Sequence, residues 1–362
     1  MSVKASAVTY TEHGKDFQNV LQLTEFTVDP SQLKPNQILL KTLATPINPA
    51  DLGQIVGGYN DPKPHYLDGK PVHIGGNEGL YKVIHLGSDV KNYNVGDWVI
   101  PKLPSFGTWR NYALVTVEEN DTTPLIVVSN DDDALTLEQA ATISINPSTA
   151  YQILNQFIKD WSEDGNDWVI QNSGNSQVSK YVSQFAKLKN VKTISVIRDG
   201  KSDEVIKELY DLGATKVIFE SQLTADDFSS KVLPDIIGEK GRVRLALNGV
   251  SGPTVPHLFK SLSENGILVT YGIISGSTIT YDARLQFSKN LTTAGFWLTK
   301  NTLRSPQFKV DTIHELLKLY KEGKVIDPSF TKVPFKEGDN LLRTFLESIG
   351  ASSKGKQVIV YE

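Results

Sequence analysis

The chain has 362 residues, 39% hydrophobic and 22% charged, the balance of an ordinary globular protein and more chain than one core usually organises. Its 37 basic and 41 acidic side chains leave a formal net charge of -4, which supplies no global attraction for nucleic acid or an anionic membrane. Cysteine is absent, which excludes disulfides, a thiolate nucleophile, Fe–S clusters and Cys-ligated zinc.

The N-terminus, MSVKASAVTYTEHGKD, carries neither a signal-peptide apolar core nor an Arg/Ser-rich presequence, as expected of a cytosolic or a processed chain. No stretch reaches the roughly 20 apolar residues of a bilayer span. Short candidate strands at 5–10, 38–45, 73–86 and 98–102, with Gly and Pro between them, predict an irregular, mostly antiparallel β domain. From residue 149 the rhythm changes. DWVIQN, VKTISVIR, TKVIFE, VRLALNGV and GILVTYG alternate with helical segments, and Val178, Val182 and Phe185 share one helix face. Apolar strands alternating with helices predict an α/β fold with a doubly wound parallel Rossmann sheet over 149–299. Residues 1–148 and 300–362 are expected to form the other domain. It would include amphipathic segments at 313–320 and 341–349 and a returning terminal strand, GKQVIVYE.

The turn after the first Rossmann strand reads Gln171-Asn172-Ser173-Gly174-Asn175-Ser176-Gln177-Val178-Ser179. Such a turn lets backbone N–H groups and a helix N-terminus approach a pyrophosphate. Only Gly174 survives of the usual glycine fingerprint, so the same residues also fit a plain strand–helix turn with Asn and Ser as caps. The second strand ends VIRDG, with Arg198 26 residues after Asn172, where NAD sites usually carry Asp or Glu. A guanidinium there pairs with a 2′-phosphate, which favours NADPH over a solvated surface arginine. Asp199 is expected on the other side of the strand end.

Gly75-Gly76-Asn77-Glu78-Gly79 resembles the Gly-His-Glu element of zinc alcohol dehydrogenases, with Asn77 where those enzymes place a zinc-binding His. The six histidines, His13, His65, His73, His85, His257 and His314, form no tight ligand pattern, so no metal site is expected. Glu78 is expected to be structural, paired by nearby basic or N–H groups. Without zinc a carbonyl or alcohol lacks its Lewis acid, and the chemistry left is hydride addition to an activated double bond followed by protonation.

Blocks along nearly the whole chain resemble the mitochondrial-type 2-enoyl thioester reductases, zinc-free members of the medium-chain dehydrogenase/reductase superfamily and especially the fungal ones. The blocks include TPINPADLGQI, GGNEGLYKVI, FGTWRNYAL, AATISINPSTAY, DWVIQNSGNS, SVIRD, RLALNGVSG, AGFWLTK and GKQVIVY. The resemblance implies a GroES-like catalytic domain and an NADPH-dependent reduction of trans-2-enoyl thioesters, enoyl-CoA or enoyl-acyl carrier protein. It also implies a homodimer and a place in mitochondrial matrix fatty-acid synthesis. Tyr59, in Gly57-Gly58-Tyr59-Asn60, matches the catalytic tyrosine. A phenol with an ordinary pKa near ~10 can donate a proton at neutral pH, although a tyrosine in a Gly-rich loop is more often a packing residue. Asn146, Asn175, Ser176, Gln177 and Val178 match NADPH contacts, and Arg198, Asp199 and Gly200 match the 2′-phosphate loop. Tyr271 and Gly272 match a Tyr-Gly-Gly-Met element from which Ile273 and Ile274 depart. Phe296, Trp297 and Leu298 match the segment beside the nicotinamide, where Trp297 would equally suit a core position. Lys356 matches a late lysine that reaches back to the cofactor. Two alternatives fit the same residues: a zinc-free NADPH quinone or enone reductase, and a non-catalytic NADPH- or nucleic-acid-binding relative.

Overall fold

The computed structural model describes residues 2–59, 62–129 and 135–362. The chain divides into two compact units, one of residues 1–145, 299–321 and 329–362 and one of residues 146–298 and 322–328.

Two sheets build the first unit. Gln22–Val28, Val3–Tyr10, Lys70–Ile74 and His65–Leu67 form an antiparallel sheet in that order. The second runs Thr331–Phe335, Gln357–Tyr361, Gln37–Pro46, Leu80–Leu86, Trp98–Pro101 and Leu125–Ser129, with Tyr112–Thr116 also against Gln37–Pro46. The terminal strand returns here, Ile359 lying opposite Thr45 in an antiparallel ladder. The strand expected over 73–86 is two strands in different sheets. They are separated because the Gly75-Gly76 pair lies flat against an indole: a β-carbon on Gly75 would come 2.4 Å from Trp109 Cε3. At Gly76, φ +92, one would come 2.2 Å from Thr108 Oγ1. Trp109 is fully buried and stacks on Phe345 of the Leu341–Ala351 helix at 4.6 Å between centroids. Ile55, Phe335, Ile359 and Tyr361 join the same core. Each such side chain contributes about 1.5–3 kcal/mol over leaving it in water.

The second unit holds a six-stranded parallel sheet in the order Lys216–Phe219, Lys192–Ile197, Asp167–Gln171, Arg242–Asn248, Ile267–Thr270 and Thr292–Gly295. The chain winds outward from Asp167–Gln171 to one edge, then crosses to Arg242–Asn248 and winds to the other. The two central strands are therefore the switch point of a doubly wound sheet, where such folds bind ligands. Thr292–Gly295 carries no apolar run, which is why periodicity does not reveal it. Helix Gln177–Leu188 buries every residue from Ser179 to Ala186, more than the single face its pattern suggests. A second helix, Asn146–Gln156, covers its other side, with Tyr151 meeting Phe185 edge-on at 5.9 Å. The 322–328 segment packs with this unit because the Gln184 side chain both donates to Ile326 O (2.9 Å) and accepts from Ile326 N–H (2.8 Å).

Candidate active site

Tyr59 follows the short helix Pro49–Ile55 in the first unit and is 41% exposed. The helix starts on Asn48-Pro49-Ala50-Asp51, where Pro at the first position suits the fixed φ and the Asp51 carboxylate accepts the Asn48 N–H (2.8 Å). The chain then turns back, with Gly58 N–H donating to Gly53 O (2.8 Å), and the Tyr59 ring lies against Gly53. Burial raises the phenol pKa, and the Asp51 charge raises it further. The hydroxyl is thus kept protonated through neutral pH.

Asp51 heads a buried polar network that the sequence reading did not single out. Beyond Asn48 N–H, its Oδ1 accepts from Asn77 N–H and Nδ2, both at 2.9 Å. Glu78, fully buried, accepts from Asn48 Nδ2 (2.9 Å) and Ile145 N–H (2.7 Å), with Lys356 Nζ at 3.9 Å. These are the basic and N–H partners expected of it. Lys356 Nζ also donates to Asn48 Oδ1. Burial drives the Glu78 pKa up to about 7 and the Asp51 pKa above its ordinary value, opposed by the Lys356 charge. The Lys356 pKa is lowered by burial. Lys309, 5% exposed on helix Pro306–Lys321, donates to Pro101 O (2.9 Å), and burial brings its pKa down to about 8. The Asn-Pro-Ala-Asp spacing is a readable helix-start signal for Asp51. Lys309 carries no local signal, because only the tertiary fold buries it. Among the described residues no group of three or more His, Cys, Asp or Glu is placed to hold a metal ion.

In the second unit Asn175 and Ser176 form the turn after strand Asp167–Gln171, and Gln177 and Val178 open the helix. Ser176 Oγ caps the helix by accepting from Ser179 N–H (3.3 Å), and Ser173 takes φ +52. Gly174 N–H donates to Val196 O (2.7 Å), and a β-carbon there would come 2.8 Å from that oxygen. The surviving glycine is the one the close turn–strand approach demands. Tyr271, after strand Ile267–Thr270, brings its hydroxyl to 3.5 Å from Ser179 Oγ, joining the expected Tyr-Gly element to the phosphate turn. Asn172 and Asn248, at the carboxyl ends of the two central strands, lock them together. Asn172 Nδ2 donates to Asn248 Oδ1 (3.0 Å), Asn172 Oδ1 accepts from Gly249 N–H (2.7 Å) and Asn248 Oδ1 from Ser251 N–H (2.7 Å).

Arg198 is exposed at the end of strand Lys192–Ile197 and pairs with no carboxylate among the described residues. Asp199 turns away to accept from Ser221 N–H (3.1 Å) and Ser221 Oγ. At Gly200, φ +76, a β-carbon would meet nothing within 4 Å, so the strand end is open beside the guanidinium. An available cation, an open glycine turn and a capped helix N-terminus fit a 2′-phosphorylated dinucleotide. Asn146 begins its helix and is buried, Phe296 is buried with its N–H on Thr270 O (2.9 Å), and Leu298 is partly buried. Trp297 is 43% exposed, as are Ile273 at 58% and Ile274 at 72%, so none of these three is a core residue. Tyr59 and Lys356 are residues of the first unit.

Residues 34–123 match the alcohol dehydrogenase GroES-like domain family. Over its whole length, and all of the relative's, the chain is 50% identical to enoyl-acyl-carrier-protein reductase 1, mitochondrial, of Debaryomyces hansenii. The chain belongs to the mitochondrial enoyl-acyl-carrier-protein reductase family. It is also 43% identical to a Kluyveromyces marxianus protein named NADPH quinone oxidoreductase, over 90% of this chain and 84% of that one. Among solved structures, the Etr1p complex with NADP and crotonyl-CoA superposes on this reductase with a TM-score of 0.91, at 38% identity, 99% of this chain and 100% of that one. The Etr1p/Etr2p heterodimer of the mitochondrial 2-enoyl thioester reductase from Candida tropicalis does so with a TM-score of 0.92, with the same identity and coverage.

Proposed function

We propose that this chain is an NADPH-dependent trans-2-enoyl thioester reductase, taking enoyl groups on CoA or acyl carrier protein. The observation that carries this reading is the full-length, 50% identity to an enoyl-acyl-carrier-protein reductase. The thioester withdraws density from the conjugated C3, and bound NADPH supplies a hydride there. The residues of the chain do the rest. Arg198 takes the 2′-phosphate, the N–H groups at Asn175–Val178 receive the pyrophosphate, and Asn146, Tyr271 and the Phe296–Leu298 segment frame the cofactor. Tyr59 holds its proton through the neutral range and delivers it toward C2 or positions the thioester carbonyl.

The relatives are named as mitochondrial enzymes, and we propose the mitochondrion as the compartment of this chain and fatty-acid synthesis as the process it serves. Strand Thr292–Gly295 has one neighbour among the described residues, leaving an edge on which a second copy can pair. We assign the chain a homodimer through that edge, and a monomer by sedimentation at micromolar concentration would refute it.

The decisive experiment follows NADPH oxidation with crotonyl- and hexenoyl-CoA against a panel of quinones. Enoyl thioesters are expected to be the far better substrates. The Kluyveromyces marxianus relative favours quinone reduction as the second reading, and turnover confined to quinones would establish it instead.

A further inference from the structure

Asn77 bonds through its backbone N–H and through both ends of its side-chain amide. Its Nδ2 donates to Asp51 Oδ1 and to Gln54 Oε1, both at 2.9 Å, and its own N–H donates to Asp51 Oδ1 at 2.9 Å. Its Oδ1 accepts from Ser105 N–H at 2.8 Å. Gln54 closes the triangle, with Nε2 3.4 Å from Ser105 Oγ. One amide therefore satisfies both its protons and its carbonyl, and it ties three pieces of chain together. These are the Gly-rich turn after strand Lys70–Ile74, the Pro49–Ile55 helix and the 102–109 loop. Ser105 takes φ +59, a left-handed conformation uncommon for serine, and the Asn77 carbonyl holds its N–H there.

The helix that Asn77 grips leads directly into the turn that carries Tyr59. Asp51 and Gln54 flank Gly53, whose bare Cα supports the phenol ring and whose carbonyl anchors the turn at Gly58. A side-chain amide that fills all its hydrogen bonds in a half-buried site has one orientation, because any rotation leaves a polar group unpaired. The Gly75-Gly76 contact with Trp109 fixes the turn from below, so Asn77 transmits the position of a rigid core to the helix.

We propose that Asn77 is a positioning residue that acts through the Pro49–Ile55 helix to set the Tyr59 ring for reaction. This rests on the reading of Tyr59 as the reacting phenol. Asn77→Ser keeps the backbone bond to Asp51 and removes the amide bonds to Asp51, Gln54 and Ser105. It is expected to lower kcat with crotonyl-CoA about ten- to a hundredfold, with KM and NADPH affinity within about twofold. The same substitution in a Tyr59→Phe background is expected to change kcat by less than about twofold, since the hydroxyl it positions is already gone. Equal losses in both backgrounds, or no loss in either, would overturn the positioning role while leaving Tyr59 in place. Normal turnover of Tyr59→Phe alone would sink the Tyr59 reading and this inference with it. Should Asn77→Ser fail to fold, Gln54→Met cuts the same triangle from the helix side and is expected to show the same background-dependent loss; additivity there would count against the proposal equally.

Discussion

A β-carbon on Gly53 would lie 2.7 Å from Cε2 of Tyr59, closer than two carbons can stand. The glycine therefore determines where the phenol ring rests. Gly53→Ala separates stability from chemistry. Alanine favours a helix over glycine by about 1 kcal/mol, which offsets the cost of displacing the ring. The expected outcome is an unchanged or higher Tm with kcat on crotonyl-CoA reduced about tenfold, the size of a displaced acid or positioning group. Full activity in Gly53→Ala would show that the ring position does not matter.

Tyr59→Phe keeps the ring volume and removes one hydroxyl. Turnover on an enoyl thioester is expected to fall by roughly 10²–10⁴-fold, the range of a positioned acid. The decrease should be equal in kcat and kcat/KM, and NADPH affinity by fluorescence titration should stay unchanged. A variant that folds, binds NADPH and turns over normally would remove Tyr59 from the reaction.

Arg198→Ala tests the cofactor choice. The guanidinium is exposed and pairs with no carboxylate among the described residues, so its loss should leave Tm nearly unchanged. NADPH affinity should drop about ten- to a hundredfold, as for a lost charge-assisted hydrogen bond, whereas NADH, which lacks the 2′-phosphate, should bind as before. Equal losses for both cofactors would assign the arginine a different role.

Lys309 predicts a pH signature of stability. Its pKa falls from 10.5 unfolded to about 8 folded, so below pH 8 both states carry the proton and burial of the charge opposes folding in full. Between pH 8 and 10.5 the unfolded chain binds a proton that the folded chain lacks, and stability rises with pH. Lys309→Met keeps the volume and removes the charge. It is expected to stabilise the protein at pH 7 by about 2 kcal/mol, after the loss of the Pro101 bond, and to flatten the rise above pH 8. Urea melts at pH 7 and pH 10 measure both effects, and a destabilised Lys309→Met at pH 7 would contradict the assignment.

How much of this was legible in the chain itself depends on the reach of each interaction. The parallel strands announced themselves because a strand buried on both faces must be a short apolar run, and the runs DWVIQN and VRLALNGV are such runs. The Asn48-Pro49-Ala50-Asp51 helix start and the Ser176 cap are likewise local. Thr292–Gly295 was not legible, since its residues are small and mostly exposed and only its neighbour makes it a strand. The split of residues 73–86 into two strands was hidden for a similar reason: the Trp109 indole that enforces it lies about thirty residues away. The polar network beside Tyr59 shows the limit most clearly. Lys356 reaches Asn48 across 308 residues and Lys309 reaches Pro101 across 208. Composition and periodicity determined the fold class, the missing thiols and the strand–turn–helix that suits a dinucleotide, because each depends on neighbours within a few residues. Which carboxylates and lysines would lose their water, and so have their pKa values moved, was decided by the tertiary structure alone. Desolvation depends on everything that packs around a group, and no local pattern encodes that.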